Sequence, residues 1–235
     1  SLSLIRHQNN PTGPLPALVW ICGGAWLMMN RHAHLPSLVE LARQGFVVAS
    51  VEYRLSNETK YPGPLEDIQD AIRYLRMHAD SLGIDGTRIG VMGESAGGHL
   101  AALAGVNPSG DPAARVQAAC PWYAPFELDF SRYPETQAPA DFMAPEKILL
   151  GESITVSKER YAEGSAATYL PPAGSDCSHI PPFFILHGTG DTVISPRQSE
   201  DFHGLLEERG ISSRLLLLEG GEKRLAGDRL EPLAR

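Results

Sequence analysis

The sequence predicts an α/β fold: a mostly parallel β-sheet with helices on both faces and one long insertion. The first observation is a set of short, continuous apolar runs such as residues 17–22, the form that a strand takes when both of its faces are covered. The second is helical periodicity between these runs, as in residues 65–82, where apolar side chains recur on one stripe. Strands that alternate with helices at this spacing are typical of parallel sheets.

The predicted elements follow one another in a regular order along the chain. Strands are predicted over residues 17–22, 46–53, 88–92, 116–120, 182–187 and 213–218. Helices are predicted over residues 35–44, 65–82, 99–104 and 196–209, the last of them opened by Ser195 as N-cap and Pro196 at the first helical position. We expect one domain over residues 1–235.

One segment interrupts this alternation. Residues 121–181 are rich in Pro, Tyr, Glu and Asp and contain only short helical candidates, at 144–150 and 157–163. A long insertion between two core strands is usually functional, often a lid or a binding wall. Because it follows the carboxyl end of a strand, we expect it to lie over the active-site edge of the sheet.

Composition narrows the class of protein. Of the 235 residues 43% are apolar, and no apolar stretch has the length of a membrane span. A formal net charge of −8 and the lack of a Lys/Arg-rich tract argue against a nucleic-acid partner. Three cysteines, at 22, 120 and 177, are too few and too scattered for a disulfide scaffold or a zinc site, so we expect no metal. Without a visible signal peptide we expect a cytoplasmic location, and whether a leader peptide precedes this sequence stays an open question.

The motif Gly93-Glu94-Ser95-Ala96-Gly97-Gly98 lies between an apolar strand and a helix of small residues. This G-x-S-x-G arrangement is a nucleophile elbow, in which a strained turn exposes a serine hydroxyl at the top of a sheet. Flanking glycines let the strand and the helix approach without Cβ clashes. Ser95 is therefore the predicted nucleophile. The alternative is that the motif is only a glycine-rich turn and that its serine has no catalytic role.

A second glycine-rich segment follows an earlier strand and reads Trp20-Ile21-Cys22-Gly23-Gly24-Ala25-Trp26. It is similar to the H-G-G-G motif that supplies oxyanion donors in esterases, with Cys22 in place of the histidine and Ala25 in place of the third glycine. Acyl transfer needs backbone N–H groups where the oxyanion develops. We predict that Gly24, Ala25 and Ala96 supply them.

A glycine-rich strand end also carries the predicted acid. Asp191 closes the segment His187-Gly188-Thr189-Gly190-Asp191 and follows Ser95 in chain order, as the acid does in a Ser…Asp…His triad of this type. Its role would be to fix the tautomer of a histidine and to stabilise the imidazolium. The alternative is a turn residue that leads into the cap at Ser195.

Taken together, these motifs and the segment Val51-Glu52-Tyr53-Arg54-Leu55 resemble the hormone-sensitive-lipase-like and feruloyl-esterase-like branch of the α/β-hydrolases, over nearly the whole chain. The resemblance implies the α/β-hydrolase fold and a serine carboxylesterase that needs no cofactor. Its substrates would be short-chain or aromatic esters of the acetyl or feruloyl type, including esters on plant carbohydrates. Trp26 and Tyr123 are the predicted pocket walls. Two alternative functions stay open: an amidase or peptidase on the same scaffold, and a non-catalytic pseudo-hydrolase. A homodimer is also possible as the oligomeric state.

The resemblance also exposes a gap, because the catalytic histidine of this family lies in the loop after the last core strand. No histidine follows Leu218 in this sequence. His99 and His187 are predicted to be structural, His203 falls inside a predicted helix, and His179 has a weak claim from the insertion. We therefore expect that residues carrying the histidine are missing near positions 221–225; if they are not, the chain is a disabled hydrolase.

Overall fold

Seven strands form one sheet in the computed structural model, which describes residues 1–8, 13–107, 109–135 and 144–221. Their order across the sheet is β1-β3-β2-β4-β5-β6-β7; β1 pairs antiparallel with β3, and every other pairing is parallel. The mostly parallel α/β sheet predicted from the sequence is confirmed. The strands are β1 Leu2–Ile5, β2 Leu15–Ile21, β3 Val47–Val51, β4 Ile84–Glu94, β5 Ala118–Trp122, β6 Phe183–Gly188 and β7 Ser213–Leu218.

Helices connect the strands, and their bounds correct one prediction. The predicted helix over 65–82 is interrupted at His78, which ends one helix and caps the next. His78 has φ −102° and ψ 18°, outside α-helical geometry, so the apolar stripe continues across a break in the backbone. The helices are α1 Leu35–Arg43, α2 Gly63–Met77, α3 Ala79–Leu82, α4 Ala96–Val106, α5 Pro145–Leu150, α6 Lys158–Glu163 and α7 Pro196–Glu207.

Both faces of the sheet are covered near its centre. Along β2, Val19 and Ile21 enter the larger buried cluster while Trp20 enters a smaller one, as the alternation of side chains along a strand requires. The smaller cluster takes Leu38 and Ala42 from α1, so α1 covers that face. The larger cluster takes its helical residues chiefly from α2, α4 and α7. No helix within the described ranges is long and apolar enough to cross a bilayer.

The insertion predicted over 121–181 begins inside β5 and packs against the sheet layer. In its described part it contains α5, α6 and short 3₁₀ turns, and its backbone is tied to α7 by Gln198, whose Oε1 accepts from the amides of Phe126 (2.8 Å) and Glu127 (2.9 Å). The Ser165 hydroxyl accepts from the Leu128 amide at 2.9 Å. The bonds to Gln198 anchor the insertion to α7, whereas the bond between Leu128 and Ser165 lies within the insertion.

His99 joins the insertion to α4, as the prediction of a structural histidine requires. Its Nε2 donates to the Gly164 carbonyl at 2.6 Å, and its ring is fully buried edge-on against Trp26 at 5.1 Å between centroids. Burial lowers the pKa of His99 to about 4, although the bond to the Gly164 carbonyl acts in the opposite direction. The imidazole is therefore neutral in the folded protein at neutral pH.

We expect this neutral imidazole to make the fold acid-sensitive. The folded-state pKa lies below the unfolded value of 6.5, so the unfolded chain binds the extra proton first, and stability falls as pH drops from about 6.5 towards about 4. At one pKa unit per about 1.4 kcal/mol the full loss is on the order of 3 kcal/mol. Urea unfolding across this range should show a shallower pH dependence for His99→Gln than for the unchanged protein. Parallel curves would contradict the assignment.

Candidate active site

Ser95 is the single residue of turn between β4 and α4. Its backbone has φ 53° and ψ −122°, a region that non-glycine residues rarely adopt, and its side chain makes no capping bond to α4. Its amide donates to the Trp122 carbonyl at 2.9 Å, which fixes the turn against the end of β5. Gly97, two residues after Ser95, lets the start of α4 pack against β2, because a Cβ at this position would lie 2.1 Å from the Ile21 carbonyl oxygen.

The glycine loop after β2 lies directly against Ser95. A Cβ built on Gly23 would meet the Ser95 Cβ at 3.1 Å and the Glu94 carbonyl oxygen at 2.8 Å. Gly24, Ala25 and Trp26 follow with φ 129°, 56° and 57°, so the loop turns back through three consecutive residues of positive φ. Within the described ranges, no protein acceptor takes the amide hydrogens of Gly24, Ala25 or Ala96. The three predicted donors are thus on one loop and one helix start that meet at Ser95.

The side chain of Tyr53 and a main-chain bond of Trp26 hold the glycine loop in place. The buried Tyr53 hydroxyl donates to the Cys22 carbonyl at 3.1 Å, and burial raises its pKa well above the ordinary range. Trp26 has φ 57°, is 2% exposed, and accepts at its carbonyl from the Ser56 amide at 2.8 Å. Its ring packs in the core rather than towards solvent, so its role as a pocket wall stays a prediction.

Glu94, the residue before the predicted nucleophile, is the centre of a polar cluster that sequence reasoning missed. His34 Nε2 donates to its Oε1 at 2.6 Å, the Tyr123 hydroxyl donates to its Oε2, and the Cys22 thiol is 3.9 Å from Oε1. Burial alone raises the pKa of Glu94, but the bonds from His34 and Tyr123 outweigh it and hold the pKa below its usual range. Interaction with Cys22 and Glu94 raises the pKa of His34 to about 10.

Tyr123 connects this cluster to the other end of the site. Its amide donates to the Leu186 carbonyl at 2.7 Å, and its backbone has a positive φ of 35°. Burial raises the pKa of its hydroxyl, and the neighbouring charges of Glu94 and Asp191 add to the increase. The hydroxyl is engaged with Glu94, and the prediction that the ring lines a substrate pocket stays a prediction.

Asp191 follows β6 and is buried, with half of its carboxylate satisfied. Oδ1 accepts from the amides of Val193 (2.8 Å) and Ile194 (2.9 Å). Oδ2 has no hydrogen-bond partner in the described part of the chain. His187 Nε2 lies 3.3 Å from it but is directed to the Ile194 carbonyl at 3.0 Å. A buried carboxylate oxygen without a hydrogen-bond donor destabilises the folded state. An N–H group that donated to Oδ2 would remove this destabilisation.

The end of β7 is bonded directly to the Asp191 loop. The Thr189 amide donates to the Leu218 carbonyl at 2.9 Å, and the Gly190 amide donates to the Gly221 carbonyl at 3.0 Å. A Cβ on Gly188 would approach the Gly221 carbonyl oxygen to 2.2 Å, which shows how closely the two loops pack. Gly221, the first of the positions near which the sequence predicted a histidine, is therefore bonded to the loop that carries Asp191, while positions 222–225 lie outside the described residues.

Of the three other histidines considered for the triad, His187 and His203 occupy structural positions. His187 is buried and bonds Ser199 Oγ through Nδ1 at 2.6 Å, as expected for a structural residue. His203 lies within α7, as predicted, and bonds Ser213 Oγ at 2.7 Å. His179 is exposed in the insertion. None of these three side chains forms a hydrogen bond with Asp191 or Ser95 within the described residues.

Comparison with known proteins gives a consistent result. The profile of the BD-FAE family matches residues 5–206. Among curated proteins, the probable carboxylic ester hydrolase LipM of Mycobacterium tuberculosis is 32% identical over 84% of this chain and 46% of its own length. Esterase LipC of the same organism is 32% identical over 86% of this chain and 50% of its own length. The chain therefore spans about half the length of the curated relatives it matches.

Solved structures resemble the fold over nearly the whole chain. A truncated carbohydrate esterase from gut microbiota superposes with a TM-score of 0.81 and 26% identity, covering 94% of this chain and 82% of that one. An acetyl ester-xyloside bifunctional hydrolase from Caldicellulosiruptor lactoaceticus superposes with a TM-score of 0.73 and 27% identity, covering 94% of this chain and 78% of that one. Both similarities support the α/β-hydrolase fold.

Proposed function

The chain belongs to the BD-FAE family of α/β-hydrolases, and from that membership we propose that it is a serine carboxylesterase. The observation that carries the proposal is Ser95 on a strained turn, in contact with a loop whose Gly24 and Ala25 amides have no protein acceptor within the described residues. A strained nucleophile and unpaired donors at one point are what ester acyl transfer requires. No metal or organic cofactor takes part in the proposed reaction.

In the proposed reaction a histidine removes the proton of Ser95 Oγ as the oxygen attacks the ester carbonyl carbon. Negative charge moves to the carbonyl oxygen, which the N–H groups of Gly24, Ala25 and Ala96 stabilise. The tetrahedral species collapses, the histidine returns the proton to the leaving alcohol, and an acyl group remains on Ser95. Water, activated by the same histidine, then releases the carboxylic acid and restores the hydroxyl.

We assign the acid to Asp191 and the base to a histidine that this sequence does not contain. Support comes from the Asp191 carboxylate, which is anchored through Oδ1 and leaves Oδ2 buried without a hydrogen-bond partner in the described part of the chain. It also comes from the loop after β7, which bonds the Asp191 loop at Gly190 and Thr189. Such a histidine would donate its Nδ1–H to Oδ2 and turn Nε2 towards Ser95.

The proposed substrates are esters of small acyl groups, acetyl esters first, on carbohydrate or other small alcohols. The support is the similarity to a carbohydrate esterase and to an acetyl ester-xyloside hydrolase. Aromatic feruloyl-type esters are the second group. We further propose that residues 1–235 form one domain and that the segment 121–181 borders the substrate site, because it starts at the end of β5 beside Tyr123.

The test is direct detection of the acyl-enzyme. The 235-residue chain is incubated with 4-nitrophenyl acetate, butyrate and ferulate, and peptides are analysed by mass spectrometry. We expect an acyl mass shift on the peptide containing Ser95, most for acetate, and none on that peptide in Ser95→Ala. Because acylation also needs a base and this sequence lacks the proposed one, imidazole is added to every incubation, and samples are acid-quenched at early times before the acyl group is hydrolysed. Absence of label on Ser95 would overturn the proposal and favour a non-catalytic binding protein.

A further inference from the structure

The cluster beside the proposed active site contains three different metal-ligating atoms. Cys22 Sγ, His34 Nε2 and one carboxylate oxygen of Glu94 all lie within 4.8 Å of one another. They come from the residue after β2, the residue before α1 and the last residue of β4. Their burial is graded, from a Cys22 that is 6% exposed to side chains of His34 and Glu94 that are 21% and 16% exposed. A thiol, an imidazole and a carboxylate therefore lie close together, and the imidazole and the carboxylate are partly exposed to solvent.

We propose that Cys22, His34 and Glu94 bind a zinc ion, at a site that adjoins Ser95 but has no part in the proposed ester chemistry. Thiolate, imidazole and carboxylate are the three ligand types that Zn²⁺ takes in proteins, at about 2.0–2.3 Å. Calcium and magnesium prefer sets made of oxygen alone, so the sulfur and nitrogen ligands disfavour them. Three protein ligands leave a fourth tetrahedral position for water.

The spacing of the ligand atoms is close to what a zinc ion requires. Tetrahedral ligands at 2.0–2.3 Å from a common ion are roughly 3.3–3.8 Å apart. Sγ and Oε1 are already 3.9 Å apart, and Nε2 and Oε1 are 2.6 Å apart because a proton lies between them. Replacing that proton with the ion requires His34 to withdraw by less than 1 Å, roughly the difference between the two spacings. The other carboxylate oxygen, Oε2, keeps its bond from Tyr123.

Support around the cluster is also of the kind that metal sites have. Tyr123 orients the Glu94 carboxylate, and the Trp20 ring lies edge-on to His34 at 5.4 Å between centroids. The Cys22 carbonyl is held by Tyr53, so the thiol sits at a fixed point of the chain. The proposal departs from the expectation of no metal drawn from the cysteine count, because one cysteine suffices when the fold adds a histidine and a carboxylate.

Zinc binding is measured on the full chain without substrate, so its result does not depend on the ester chemistry. We expect one Zn²⁺ per chain by equilibrium dialysis and elemental analysis. Cobalt substitution should give a thiolate-to-cobalt charge-transfer band. Losing an outer-shell partner costs 10–100-fold in affinity, so we expect Cys22→Ser and His34→Gln each to raise the dissociation constant at least about 100-fold. The charge-transfer band should disappear in Cys22→Ser.

Cys177→Ser is the matched control, because Cys177 lies near the exposed Asp176 and His179 and offers the same ligand types. It should bind zinc as the unchanged protein does. Circular dichroism of each metal-free variant shows whether it is folded. If Cys22→Ser does not fold, His34→Gln is used to test the zinc site. The proposal is overturned if the unchanged protein binds no stoichiometric zinc, if folded His34→Gln binds it unchanged, or if the band is lost in Cys177→Ser.

Discussion

Replacing Ser95 with alanine is expected to lower the imidazole-stimulated hydrolysis of 4-nitrophenyl acetate by at least about 10³-fold. The substitution removes the atom that forms the acyl-enzyme and leaves the backbone of the turn in place, because alanine has the same Cβ. Imidazole supplies the base that the sequence lacks, and general-base catalysis contributes about 10²–10⁴-fold. Initial rates over a range of imidazole concentrations provide the measurement.

Two controls make this result specific. Imidazole alone hydrolyses activated esters, so its rate without protein is subtracted from every measurement. Ser81→Ala, at an exposed serine on α3 whose hydroxyl bonds the His78 carbonyl, should retain the full stimulated rate. If Ser95→Ala and the unchanged chain are stimulated equally, Ser95 is not the nucleophile. If amides are turned over faster than esters, the amidase or peptidase alternative replaces the esterase.

Elements that depend on local pattern could be predicted from the sequence. The last strand, Ser213–Leu218, is observed at the bounds predicted for it, because a continuous apolar run between turn residues has few alternatives. The helix opened by Ser195 and Pro196 also begins where predicted, since the Ser195 hydroxyl accepts from the Arg197 amide at 3.2 Å. The break at His78 could not be foreseen, because the apolar stripe continues on both sides of it.

The candidate site also contains residues that could be predicted from local sequence patterns and residues that could not. Ser95, the glycine loop and Asp191 are recognisable because each follows a strand, and the carboxyl ends of parallel strands share one edge of the sheet. The polar cluster at Glu94 was missed, since residues 22, 34 and 94 are joined only by tertiary contacts such as the 2.6 Å bond between His34 and Glu94. A cysteine at the position of a family histidine was the one signal for it.

In the proposed esterase, with a histidine present in the loop after β7, changing Asp191 to asparagine is expected to lower kcat by about 10⁴-fold, with little change in stability. Asparagine keeps an Oδ1 acceptor for the amides of Val193 and Ile194, so the loop retains its shape. In place of the unpaired Oδ2 it presents an NH₂ group, which cannot accept from a histidine N–H and leaves that histidine in the wrong tautomer.

The measurement is kcat at saturating ester, with thermal unfolding of the same sample as a check on the fold. Asp201→Asn provides the same chemical change on α7, where the carboxylate accepts from the Tyr133 hydroxyl at 3.1 Å, and should leave kcat near that of the unchanged enzyme. A loss of less than tenfold in folded Asp191→Asn would mean that Asp191 only closes its turn. The unpaired Oδ2 would then need a different donor, and the acid of the triad would have to be sought elsewhere.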